Sequence, residues 1–82
     1  MNREALLDLL TGNLKKAVPD FADHDLDAAK TFQELGVSSL DLVEVVTRTT
    51  KELGLTLPFQ ELAKVKTIND LAEVVLRLRP EA

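Results

Sequence analysis

The sequence predicts an all-α fold, a small four-helix bundle of three main helices and a short third one, with a long loop between helices one and two. Three observations carry that expectation. Apolar residues recur at three- and four-residue spacing over three stretches, the period of a helix that buries one face. No stretch alternates apolar and polar residues in the manner of a half-buried strand. The stretches are separated by Pro19, Gly36, Gly54 and Pro58, residue types that punctuate helices.

The first helix is expected over residues 3–17. Leu6, Leu7, Leu10, Leu14 and Ala17 form its inner face, with Arg3, Glu4, Asp8, Asn13, Lys15 and Lys16 on the other side. Asn2 is placed to cap it. Gly12 costs about 1 kcal/mol relative to alanine without breaking the helix. Val18-Pro19 ends it, because a residue before proline is driven out of helical geometry. Residues 19–38 show no sustained period and carry Asp20, Asp23, Asp25 and Asp27. Phe21, Leu26, Phe32 and Leu35 read as anchors that order this long loop, with a helical turn near Phe32 to Leu35. A second main helix is expected from Ser39 to Leu53, closed by Gly54 in the left-handed conformation. Pro58 favours a short helix over residues 59–63. Thr67 and Asp70 then have capping-box spacing and open a last helix that runs to Arg79. Its buried face is Ile68, Leu71, Val74, Val75 and Leu78, and Arg77 and Arg79 oppose the dipole at its C-terminal end.

Eighty-two residues, 45% of them hydrophobic, suit one domain spanning 1–82. A chain this short buries only roughly 60% of the surface that its unfolded form exposes, which leaves little interior for an enclosed catalytic cleft. Fourteen acidic and ten basic residues give a net charge of -4, which repels nucleic-acid phosphates and anionic lipid headgroups. Positively charged protein surfaces are the better partners. There is no cysteine and one histidine, so neither a disulfide framework nor a thiolate site is available. His24, between Asp23 and Asp25, lacks the glycine turn and terminal glutamate of a calcium loop, and one imidazole is a poor zinc site. No metal is expected. No apolar run reaches the ~18 residues of a membrane span, and the N-terminal residues do not read as a secretion signal. A cytoplasmic monomer is the expectation.

Chemistry concentrates at Gly36-Val37-Ser38-Ser39-Leu40-Asp41. Ser38 is the better N-cap, since its hydroxyl reaches the backbone N–H of Asp41, and Asp41 adds a favourable charge to the first turn. Ser39 is then the first helical residue, its hydroxyl on the rim beside free N–H groups that favour an anionic ester. On a helical wheel Leu42, Val45, Val46, Thr49 and Leu53 face the core, whereas Leu40 falls nearly opposite them, beside Thr47 and Val43. No base partner for Ser39 is evident in the sequence, so it does not read as a catalytic nucleophile.

The run Phe32-x-x-Leu35-Gly36-Val37-x-Ser39-Leu40-Asp41-x-Val43-Glu44, together with Thr67-Ile68-x-Asp70-Leu71, resembles the acyl carrier proteins over nearly the whole chain. The resemblance implies a non-catalytic carrier whose Ser39 is esterified with 4'-phosphopantetheine taken from coenzyme A. The arm supplies the thiol that this chain lacks and holds acyl intermediates as thioesters for fatty acid or polyketide biosynthesis. It also implies partners: a phosphopantetheinyl transferase, and an acyltransferase, ketosynthase or related enzyme. Leu40, Asp41, Val43, Glu44 and Thr47 are the docking candidates, and Val45, Val46, Thr49, Leu53 and Leu57 are candidates to line an acyl crevice. Two features depart from the family pattern. Ser38 stands where aspartate is usual, and Arg48 and Lys51 interrupt the acidic helix. Both point towards a polyketide or modified fatty acid pathway. A peptidyl or D-alanyl carrier, or an unmodified helical adaptor, is the alternative.

Overall fold

The computed structural model describes residues 2–23 and 25–78, with Phe59 represented by its backbone alone. Five α-helices follow one another: α1 (Arg3–Ala17), α2 (Phe32–Leu35), α3 (Ser39–Leu53), α4 (Phe59–Leu62) and α5 (Ile68–Leu78). A 3-10 turn, Pro19–Phe21, follows α1. No strand occurs among the described residues. α1 and α3 span the residues that the periodicity predicts, α5 opens where Thr67 and Asp70 predict, and α4 follows Pro58 as expected, ending one residue earlier at Leu62. His24 and the expected end of the last helix at Arg79 lie outside the described residues.

Packing follows the apolar stripes. α1 lies against α3 and α5, and Leu6, Leu10, Leu14, Val45, Ile68, Leu71 and Val75 are the fully buried centre. Burying a side chain of this kind contributes about 1.5–3 kcal/mol each, which is how a chain this short holds together. Arg3 pairs with Glu73 at 3.5 Å across α1 and α5, and Arg77 with Glu61 at 2.8 Å across α5 and α4. The first pair is largely exposed and contributes little; in the second Arg77 is exposed and Glu61 partly buried.

One expectation for α1 is corrected. Asn13 does not face solvent: it is 1% exposed, and its Nδ2 donates to Oγ1 of Thr49, itself 0% exposed, at 2.9 Å. At 100° per residue Asn13 lies close to Leu6 on the wheel, two turns on. Its position on the helix therefore buries it, and the hydroxyl of α3 satisfies its amide where water would otherwise be lost.

The long loop is ordered by hydrogen bonds as well as by its apolar anchors. The Asp27 carboxylate accepts from Ala29 N–H at 2.9 Å, and the Ala28 carbonyl accepts from Asn69 N–H at 3.1 Å. Phe32 N–H donates to the Lys66 carbonyl at 2.8 Å, within an antiparallel bridge between Thr31 and Thr67. Thr31 and Thr67 also cap α2 and α5. One short bridge thus ties together the starts of two helices and fixes the end of the loop that leads to α3.

Candidate functional site

The approach to α3 is a sequence of local constraints. Gly36 sits at φ +82° after α2, with its N–H donating to the Gln33 carbonyl at 3.1 Å and the Val37 N–H to the Phe32 carbonyl at 2.8 Å. That pair of bonds is a Schellman termination, which requires a left-handed residue at the glycine. Val37 and Phe32, the apolar partners of such a motif, are both buried. Gly36 therefore turns the chain so that Val37 enters the core and the next two residues emerge at the surface.

Ser38 and Ser39 then diverge. The Ser38 hydroxyl accepts from Asp41 N–H at 3.1 Å, and the Asp41 carboxylate accepts from Ser38 N–H at 3.4 Å, a reciprocal box that starts α3. Ser38 is thereby committed to the backbone. Ser39 is exposed on the first turn, and the N–H groups of Ser39 and Leu40 have no acceptor among the described residues. An exposed hydroxyl beside two free helix N–H groups suits an anionic ester.

A groove of about 590 Å³ opens beside Ser39, with Phe32, Val37, Leu42 and Val65 as its apolar lining and Thr31, Gln33, Ser38 and Lys66 completing it. A second groove, of about 250 Å³, runs between Val43, Val46, Thr47 and Thr50 of α3 and the segment holding Leu55, Leu57 and Leu62. Of the crevice candidates, Val46 and Leu57 line this second groove. Val45 and Thr49 are closed into the core, Thr49 by its bond to Asn13, and Leu53 is half-buried against the core.

The docking candidates share one surface. Leu40 is 82% exposed and Val43 39%, the large apolar side chains that stand out at the surface among the described residues. Thr47 and Glu44 are exposed beside them and Asp41 is half-buried. Glu44 pairs with Arg48 one turn on, at 3.9 Å. Elsewhere in the cluster of caps, the backbone N–H and hydroxyl of Thr31 donate to Glu34 at 3.0 and 3.1 Å, and these bonds, with Lys30 nearby, hold the Glu34 carboxyl below its ordinary pKa. Lys66 on the groove wall lies 27 positions from Ser39 and is not marked by any local motif; tertiary contacts that include the Thr31–Thr67 bridge bring the two segments together.

Among the described residues no three His, Cys, Asp or Glu side chains converge to hold a metal, and no helix is long and apolar enough to cross a membrane. Residues 4–75 match the family described as the phosphopantetheine attachment site. The polyketide biosynthesis acyl-carrier protein AcpK of Bacillus subtilis is 32% identical over 75 residues, covering 92% of each chain. The anthracycline acyl carrier protein DpsG of Streptomyces peucetius is 44% identical over 50 residues, 61% of this chain and 56% of that one. In solved structures, the fold matches the crystal structure of the curacin biosynthetic pathway HMG synthase in complex with its acetyl donor ACP. The TM-score is 0.80 at 27% identity, covering 90% of this chain and 95% of the matched one.

Proposed function

We propose, from the premise that this chain belongs to the phosphopantetheine attachment family and is an acyl carrier protein, that Ser39 carries the family's 4'-phosphopantetheine arm and presents polyketide intermediates to biosynthetic enzymes. The observation that carries this reading is the division between the two serines: Ser38 is held in the cap, and Ser39 is exposed with its neighbouring N–H groups free. The residues fit the group. In the transfer from coenzyme A, Ser39 Oγ forms the new phosphoester bond, the pyrophosphate link breaks with release of the adenosine 3',5'-bisphosphate, and the hydroxyl proton passes to the transferase. The free N–H groups of the first turn would hold the resulting anion. When bound, the arm supplies the terminal thiol on which acyl groups are carried as thioesters.

The rest of the chain serves presentation and not catalysis. The whole of it, 1–82, acts as one carrier domain, as a cytoplasmic monomer. Leu40, Val43 and Thr47 offer an apolar strip to the partner, and Asp41 and Glu44 orient it by charge. A tether of this kind raises the local concentration of cargo at whichever enzyme has docked. The polyketide assignment is supported by AcpK, aligned over nearly its whole length, and by the anthracycline carriers. Support also comes from Ser38 in place of aspartate and from Arg48 and Lys51 on α3.

The experiment is intact mass after incubation with coenzyme A and a phosphopantetheinyl transferase, followed by loading. One added phosphopantetheinyl group, then transfer of an acetyl or malonyl group, is the expected result. No gain with several transferases would leave a helical adaptor. Loading by an amino-acid-adenylating enzyme alone would make the chain a peptidyl or D-alanyl carrier.

A further inference from the structure

We propose that Lys66 holds the phosphate end of the arm, so that the arm leaves Ser39 along the groove floored by Phe32, Leu42 and Val65. This rests on the Ser39 reading and adds a positioning residue to it. Ser39 and Lys66 line one groove from separate elements, the head of α3 and the link between α4 and α5. The Lys66 backbone is fixed on both sides: its N–H donates to the Asp70 carboxylate at 3.1 Å, and its carbonyl accepts from Phe32 N–H at 2.8 Å. Its side chain therefore starts from a defined point on the groove wall, and only side-chain freedom is lost when it takes a partner.

Lys66 is exposed and makes no ion pair among the described residues. The carboxylates of the surrounding caps are engaged elsewhere. Asp70 accepts from the N–H groups of Lys66 and Thr67, Asp41 from Ser38, and Glu34 from Thr31. A phosphodiester on Ser39 is an anion, and it meets partial positive charge from the first turn of α3 and a full positive charge from Lys66. The serine at position 38 helps, because no carboxylate directly precedes the attachment point to repel that anion.

The test attaches an unlabelled arm to ¹³C,¹⁵N-labelled protein and reads isotope-filtered NOEs from the arm's geminal methyl groups to the methyls of Leu42 and Val65. In the wild type these NOEs are expected. They should fall about two- to fivefold in Lys66→Glu and Lys66→Gln, the range that an exposed ion pair spans, and persist in Lys66→Arg. Salt of about 1 M, where the Debye length is about 3 Å, should weaken them in the wild type. Equal NOEs in wild type and Lys66→Glu, or none in the wild type, would overturn the role of Lys66. Failure of the Ser39 reading shows separately, as absence of the mass gain before any spectrum is recorded.

Discussion

The two faces of α3 carry apolar residues for different reasons. On the inner face Val45 is 2% exposed within the core, and Thr49, at 0%, is tolerated there because Asn13 donates to its hydroxyl. On the outer face Leu40 and Val43 are 82% and 39% exposed, with nothing among the described residues to cover them. The inner face is determined by the fold. The outer face is free of that constraint, and on the proposed reading its apolar strip beside Ser39 is the surface offered to a partner.

The largest expected difference between the faces is in stability. Val45→Ala should cost about 1.5–3 kcal/mol, whereas Val43→Ala, two positions away on the same helix, should stay near the ±0.5 kcal/mol typical of surface substitutions. Urea unfolding measures both, and equal losses would erase the distinction. Val43→Ala and Leu40→Ala should instead slow acyl transfer from a docked enzyme.

Thr49→Ala sharpens the inner side. It leaves a buried amide of Asn13 without its acceptor and should cost about 1–3 kcal/mol, while the double variant Asn13→Leu with Thr49→Val should recover most of that loss. Failure of the pair to couple in a double-mutant cycle would mean that the buried hydrogen bond is not what holds α1 to α3 at this level.

The smallest effect lies outside α3, in the cap of α2. Glu34 has a folded-state pKa below its ordinary value, so its contribution is complete above the unfolded carboxylate's pKa and is lost as pH falls through the lower, folded value. The unfolding midpoint should carry this slope in the acid range, and Glu34→Gln should flatten it.

Much of this was legible in the sequence because local rules and tertiary packing agree. Gly54 ends α3 in the left-handed conformation at φ +67°, and Thr67 with Asp70 opens α5, as their residue types require. Ser38 was identifiable as a cap for the same reason. Asn13 is polar and so reads as an outer residue, but its angular position buries it, and the residue that satisfies it, Thr49, is 36 positions away. Lys66 and the groove it shares with Ser39 depend on a bridge between distant segments, which helical periodicity does not encode. Family resemblance points to Ser39, and the cap supports that choice physically, since the Ser38 hydroxyl is already engaged with the Asp41 N–H.

That separation of roles is tested most directly by intact mass of Ser38→Ala and Ser39→Ala after identical treatment with coenzyme A and a phosphopantetheinyl transferase. Ser38→Ala should lose about 1 kcal/mol of stability as a cap is removed and still gain one phosphopantetheinyl group; Ser39→Ala should keep its fold and gain nothing. A gain that survives in Ser39→Ala, or disappears in a folded Ser38→Ala, would contradict it.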